Sequence, residues 1–314
     1  MTPRLSVVIP TFNRPAELSV CLNGFACQSA NPNHFEVVIA DDGSAQDAGE
    51  IAAGFADRLE VHVERCGHAG TSVARNLAIA RSRAPLLLLY DDDLRPLPGL
   101  IEGCLQFHSR HPALHEAALL NFTPDPAIAD MAVVRWAFHE LYPFPESDGA
   151  YTWNYFWGGA VTCKRALFDQ DVFDPAFLAV EDAEFALRAS ARLPIAIHYT
   201  ATARGHFHRR LSVRQICTRE YRMAYYRHLM THRHGVRFTH PVYENPRDFL
   251  IPDWPGYRTL LSALSSQESA TLPPESGRFR ILCGTWKKAL LHATASGWLA
   301  AQAGVPSECT LFEQ

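Results

Sequence analysis

Three consecutive carboxylates, Asp91, Asp92 and Asp93, end the apolar run PLLLLYDDDLRP between Pro85 and Pro96. Packed carboxylates repel one another unless a cation or hydrogen-bond donors neutralise them. Hard oxygen ligands suit Mg2+ or Mn2+, usually shared with substrate phosphates, so the triplet suggests a metal bridging the protein to a phosphorylated substrate. A solvated acidic turn is the competing account. Asp41-Asp42-Gly43-Ser44 closes a second apolar run, where Asp42 can accept from a base or ribose, or serve an Asx turn and N-cap. Arg75 and Asn76 could reach a diphosphate or sugar hydroxyls, or only pair on a surface face. Gly158-Gly159 permits close backbone approach to a ligand, with a plain turn as the alternative. Glu181 and Asp182 head a helical pattern, a place where acidic residues also serve free N–H groups and the helix dipole. His206 and His208 fall two apart on an extended segment and so point the same way. Arg209 and Arg210 follow, suited to a leaving diphosphate or to a basic surface loop.

The elements that must carry these groups alternate. Leu5–Ile9 reads as a strand, then Pro15 opens a helix with Leu18, Cys21, Leu22 and Phe25 at helical spacing. Strand 35–40, helix 45–56, strand 59–63, helix 71–81 and the strand 86–90 follow. Strands separated by helices predict a parallel, doubly wound α/β sheet, because parallel neighbours need crossovers. The ends at 11–14, 41–44 and 91–93 then gather on the carboxyl edge, where open sheets bind ligands. A helix over 97–111, strands at 117–122, 160–163 and 195–199, a helix 211–233 and a final helix pair within 281–303 complete the expectation. Trp136, Phe138, Tyr142 and Phe144 are available to line an acceptor cleft, and 245–255 and 265–277 read as linkers or lids.

Composition narrows the class. The chain has 314 residues, 47% hydrophobic and 20% charged, enough for a large core. A formal charge of −4 without a Lys/Arg block gives no reason to expect nucleic acid. Eight scattered cysteines without C-x-x-C favour reduced thiols and a cytoplasmic setting over a disulfide framework. The first apolar run is too short for a signal peptide, and no stretch is long enough to cross a bilayer. Neither G-x-G-x-x-G nor G-x-x-x-x-G-K-[ST] occurs, so phosphate must be held by metal and side chains.

SVVIPTFNRPAELSVCL, VVIADDGS, GTSVARNLAIARS and LLLLYDDD, in this order and spacing, resemble the family 2 glycosyltransferases of the GT-A fold, over roughly residues 4 to 230. The resemblance implies a nucleotide-sugar-binding domain over 1–210, with a mainly helical extension over 211–314 as acceptor side, lid or dimer contact. It implies that Asp42 contacts the base and that the loop containing Pro10, Thr11, Asn13 and Arg14 closes over the nucleotide. Asp91 and Asp92 would face the nucleotide, while Asp93 ligates Mg2+ or Mn2+ with His206 or His208 as a further ligand. Trp157, Gly158 and Gly159 would line the donor sugar, with Arg75, Asn76, Arg209 and Arg210 around the diphosphate. Asp182 corresponds to the general base of inverting enzymes and Glu181 to its supporting neighbour. The expected reaction is sugar transfer from a nucleotide diphosphate sugar, UDP-linked, to a glycan, lipid, peptide or small-molecule hydroxyl. A nucleotidyltransferase would also use clustered carboxylates, but with a Gly-rich basic loop where PTFNRP stands; a noncatalytic nucleotide-sugar binding protein is the third reading.

Overall fold

The structure is a computed structural model that describes residues 2–142, 144–145, 149–309 and 311–312. The chain divides into two units, 1–125 with 144–209, and 126–143 with 210–314.

The first unit is built on one mixed sheet. In chain order its elements are β1 (Leu5–Thr11), α1 (Pro15–Ala26), β2 (Phe35–Asp41), α2 (Ala48–Ala53), β3 (Val61–Arg65), α3 (Thr71–Arg81), β4 (Leu86–Tyr90), β5 (Leu94–Pro96), α4 (Leu100–Arg110) and β6 (Glu116–Pro124). After α5 (Ala132–Leu141), which belongs to the second unit, come β7 (Ala150–Tyr151), β8 (Ala160–Lys164), α6 (Glu181–Ser190) and β9 (Ala196–Phe207). The strand order is β3-β2-β1-β4-β8-β6-β9-β5, with β7 beside β9. β3, β2, β1 and β4 are mutually parallel, as their helical crossovers require, whereas β8 runs antiparallel between β4 and β6.

Burial explains why the first four strands read so plainly. β2 is buried throughout, β1 nearly so and β4 from Leu87 onward. Two-sided burial needs continuous apolar runs rather than alternation. On one face Val8, Leu87 and Leu89 pack with Ala74 and Ala78 of α3 and Phe185 of α6. On the other, Phe25 of α1 meets Tyr90 edge-on at 5.3 Å. β9 runs eight residues beyond the expected Tyr199. Its register with β6 jumps between Leu120/Thr200 and Asn121/Arg204, a bulge that resumes pairing through Phe207.

The second unit is helical: α5, α7 (Val213–His234), α8 (Pro241–Glu244), α9 (Trp254–Ala263) and α10 (Gly277–Gln302). α10 is one continuous helix where a pair was expected, and α9 lies partly in a stretch expected to be a linker. α7 begins with a full capping box, Ser212 with Gln215, and ends at Gly235 in the left-handed region. Gly297 lets α10 approach α7 closely, since a Cβ there would lie 2.0 Å from Tyr221 O. The domain expectation of 1–210 is corrected at 126–143. Ala132 N donates to Ala270 O at 2.9 Å, Arg135 Nη1 to Leu272 O at 2.6 Å, and Trp136 packs on Trp286. Trp136 is therefore core, and Phe138 and Tyr142, which pack on each other, lie in the same unit. All eight cysteines are unpaired, and no helix among the described residues is long and apolar enough to cross a membrane.

Candidate active site

The three carboxylates at the end of β4 have different fates. Asp92 is buried, accepting from Thr11 Oγ1 at 2.7 Å and Arg14 Nη1 at 2.8 Å, and thus ties β4 to the end of β1. Asp91 is the most exposed of the three and accepts from Arg75 Nη2 at 2.8 Å. Asp93 lies 3.4 Å from Arg14 Nη1 and 3.8 Å from Arg209 Nη1. Burial, reinforced by the charges of Asp91 and Asp92, pushes the Asp93 carboxyl up to about 7. That is a surplus of negative charge at the carboxyl edge of the sheet.

The glycine pair completes this edge. The register Tyr90↔Ala160 brings Gly159 beside Asp91, whose N–H donates to Gly159 O at 3.0 Å. A Cβ on Gly159 would stand 2.3 Å from Asp91 Oδ2, and one on Gly158 would stand 2.9 Å from Arg75 Nη1. A side chain at either position would have to displace the carboxylate or the guanidinium that lies against the backbone. Gly158 N–H donates to Asp182 Oδ2 at 2.7 Å, while Ala183 N–H holds Oδ1 at 2.7 Å. Arg75, buried on α3, reaches both Asp91 and Glu181. Glu181 opens α6 after Val180 (φ 55°); burial, with Asp182 nearby and Arg75 opposing, pushes its carboxyl up to about 7. One arginine thus joins the first acidic cluster to the second.

On the β1–β2 side, Asn13 (φ 53°) bridges two loops, its N–H donating to Ser44 Oγ at 2.8 Å and its Oδ1 accepting from Ala45 N at 2.8 Å. Asp42 accepts from Ala69 N at 2.6 Å and Gly70 N at 3.0 Å, so its carboxylate orders the turn into α3. Sequence reasoning missed two residues here: Phe12 and His68 stack at 4.1 Å, and both are exposed. An aromatic directly after a strand end was the available signal for Phe12; His68 had none.

The other expected residues have these positions. Both ends of the Asn76 amide go to the backbone of Phe173, at 2.8 and 3.0 Å, so it clamps a loop instead of facing a sugar. Pro10 lies inside β1, where the register with β4 has already ended at Val8 and a missing N–H is tolerated. Arg210 falls in the second unit. Trp157 donates from Nε1 to Asn154 O at 3.1 Å, with its ring among Phe122, Phe144 and Tyr155.

The expected metal set is only partly assembled. Among the described residues, Asp93, His206 and His208 do not bring three ligand atoms within mutual reach. His206 is the register partner of Arg95, whose Nη2 lies 3.1 Å from its Nδ1, and Asp125 is 3.8 Å away. His208 differs: its N–H donates to Asp93 O at 3.1 Å, and its ring is partly buried with neither nitrogen hydrogen-bonded. The crowded carboxylates of this edge, with Asp93 pushed up to about 7 by burial and its acidic neighbours, fit a hard divalent cation.

Residues 6–122 match the family model described as "Glycosyl transferase family 2". Validoxylamine A glucosyltransferase of Streptomyces hygroscopicus subsp. limoneus is 30% identical over 194 residues, covering 53% of this chain and 42% of that protein. The chain therefore spans less than half the length of this curated relative. Among solved structures, TarS 1–349 of S. aureus superposes with a TM-score of 0.55 at 15% identity, over 97% of this chain and 92% of that one. The same fragment was solved with UDP and with UDP-GlcNAc, at TM-scores of 0.51 and 0.52. Mannosyltransferase PcManGT of Pyrobaculum calidifontis, in complex with GDP-Man and Mn2+, gives 0.58 at 14% identity, over 95% of this chain and 88% of that one. Residues 6–122, which contribute much of the carboxylate edge, are thus similar to glycosyl transferase family 2, and the chain shares its fold with these GT-A structures.

Proposed function

We propose that this chain is an inverting glycosyltransferase that moves a sugar from a UDP-linked donor to an acceptor hydroxyl, with Asp182 as general base and Mg2+ or Mn2+ at the β4 edge. The observation that carries this reading is the Arg75 bridge between Asp91 and Glu181, with Asp182 held next door by Gly158 N–H. It gathers the donor-side acids and the candidate base around one glycine pair.

A hydroxyl is a poor nucleophile until a positioned carboxylate takes its proton as attack begins. Asp182 takes that proton, the acceptor oxygen bonds to the anomeric carbon, and the carbon–oxygen bond to the diphosphate breaks. Displacement from the face opposite the leaving group inverts the centre. Gly158 and Ala183 orient the Asp182 carboxylate, and Arg75 keeps the neighbouring Glu181 in place. Arg209, beside Asp93, is suited to the negative charge of the departing diphosphate. Asp93, with Asp91 and His208, would hold the divalent ion, which when bound neutralises charge on the leaving phosphates. Phe12 and His68 offer a flat exposed surface for the base, near the ordered Asp42 turn. Eight unpaired thiols support a cytoplasmic setting.

The test is a thermal-shift panel of UDP, GDP, dTDP and CDP, each with Mn2+ and with EDTA. The reading expects a metal-dependent rise in Tm with UDP that Asp93→Ala abolishes. No shift with any nucleotide in folded protein contradicts it.

A further inference from the structure

We propose a second metal site on this chain, a zinc-class divalent ion held by His111, Glu116 and His198 at the sheet edge opposite the Asp91–Asp93 cluster. Glu116 opens β6, His198 lies near the start of β9, and His111 ends α4. The registers Leu86↔Lys164, Ala118↔Thr162 and Ala118↔His198 put all three where the parallel strands begin. The Asp cluster follows the other end of β4, a strand about 13 Å long from Leu86 to Tyr90. Because Glu116 pairs with Ala196 and Ala118 with His198, the Glu116 and His198 side chains share one face of the sheet.

The donor atoms converge as a coordination sphere needs. His111 Nδ1 is 2.9 Å and His198 Nε2 3.5 Å from the same oxygen, Glu116 Oε1, and all three lie within 4.8 Å of one another. Donors about 2.1 Å from a tetrahedral Zn2+ stand about 3.4 Å apart, so both measured edges need only small adjustment. Two imidazoles and one carboxylate form a zinc-type donor set that leaves a fourth position for water. The outer supports are also present: Ala113 N–H donates to Glu116 Oε2 at 3.1 Å, and Phe107 stacks on the His111 ring at 4.5 Å.

Lys164 is the adverse group, and its position limits the damage. Its ammonium donates to the carbonyls of His111 and Glu116, not to the carboxylate. The contrast is the cluster Glu36, Glu60 and His62, whose acids are also close. There Arg83 pairs with Glu36 Oε2 at 2.8 Å and with Glu60, so a cation of the protein's own already fills the space.

The experiment is equilibrium dialysis of chelator-stripped full chain against Zn2+ in excess Mg2+, with Co2+ absorption as a second readout. One Zn2+ per chain is expected to bind to the wild type and to Asp93→Asn. His198→Gln and Glu116→Gln, on different strands, should each weaken it by about tenfold or more and remove the visible Co2+ band. Circular dichroism of the metal-free variants checks folding, and two substitutions ensure that a defect in one leaves the other decisive. Zn2+ affinity unchanged within about twofold in the folded His198→Gln or Glu116→Gln protein, or lost in Asp93→Asn, overturns the site.

Discussion

The main-chain N–H of Gly158 donates to Asp182 Oδ2 at 2.7 Å, and a Cβ on that glycine would meet Asp182 Cβ at 3.1 Å and Arg75 Nη1 at 2.9 Å. The backbone of the glycine pair is thus the ruler that sets the candidate base against Arg75. Gly158→Ala should lower turnover by about 10- to 100-fold by displacing these groups, because sub-ångström misplacement is costly in catalysis. Steady-state UDP release beside a thermal melt checks this, and Tm should fall far less than activity.

Arg75 is buried and serves Asp91 and Glu181 together. Removing one partner of a buried ion pair leaves uncompensated charge, so Arg75→Met should cost about 3–5 kcal/mol in urea unfolding of the chain. Arg75→Lys should recover part of this loss, since an ammonium keeps the charge but not the two-sided fork. Equal stability of Arg75→Met and wild type would refute the bridge.

His108 gives a pH prediction away from the site. Its Nε2 lies 2.9 Å from Thr162 Oγ1, whose hydroxyl donates to Leu87 O, so Nε2 carries the proton. Burial, then the charge of Lys164, holds its pKa near 3, well below the unfolded value of about 6.5. Below pH 6.5 the unfolded chain binds the proton and the folded chain does not, so stability falls as pH drops from about 6.5 toward 3. Relative to wild type, His108→Gln should gain up to about 1.4 kcal/mol per pH unit across that window, read from urea midpoints. A pH-independent difference would contradict it.

In the second unit Gly297 is a point of close approach between α7 and α10. Gly297→Val forces a side chain into Tyr221 O and should destabilise this unit by about 1–3 kcal/mol. The probe is Trp286, fully buried beside Trp136, whose fluorescence should report earlier unfolding of this unit.

What was legible in the sequence follows from burial. β1, β2 and β4 are covered on both faces, so their apolar runs and polar ends stood out, and with them Thr11, Arg14, Asp42 and Asp91–Asp93. Arg75 and Gly158-Gly159 were singled out, but their shared geometry depends on β8 inserting antiparallel beside β4, which no local pattern announces. Asn76 misled because an amide can clamp a backbone as well as a ligand. His206 misled because β9 continues past its bulge and pairs it with Arg95. Trp136 could be told from a cleft aromatic only through Trp286, a contact too distant in sequence to read.

The most direct test of the central claim is UDP release from a set of UDP-hexoses with Mn2+, comparing wild type with Asp182→Asn while UDP affinity is measured by calorimetry. Asparagine can still accept from Gly158 N–H but cannot take a proton, so the account predicts a rate loss of about 10²- to 10⁴-fold with UDP binding kept within about twofold. An Asp182→Asn enzyme that turns over at the wild-type rate would contradict it.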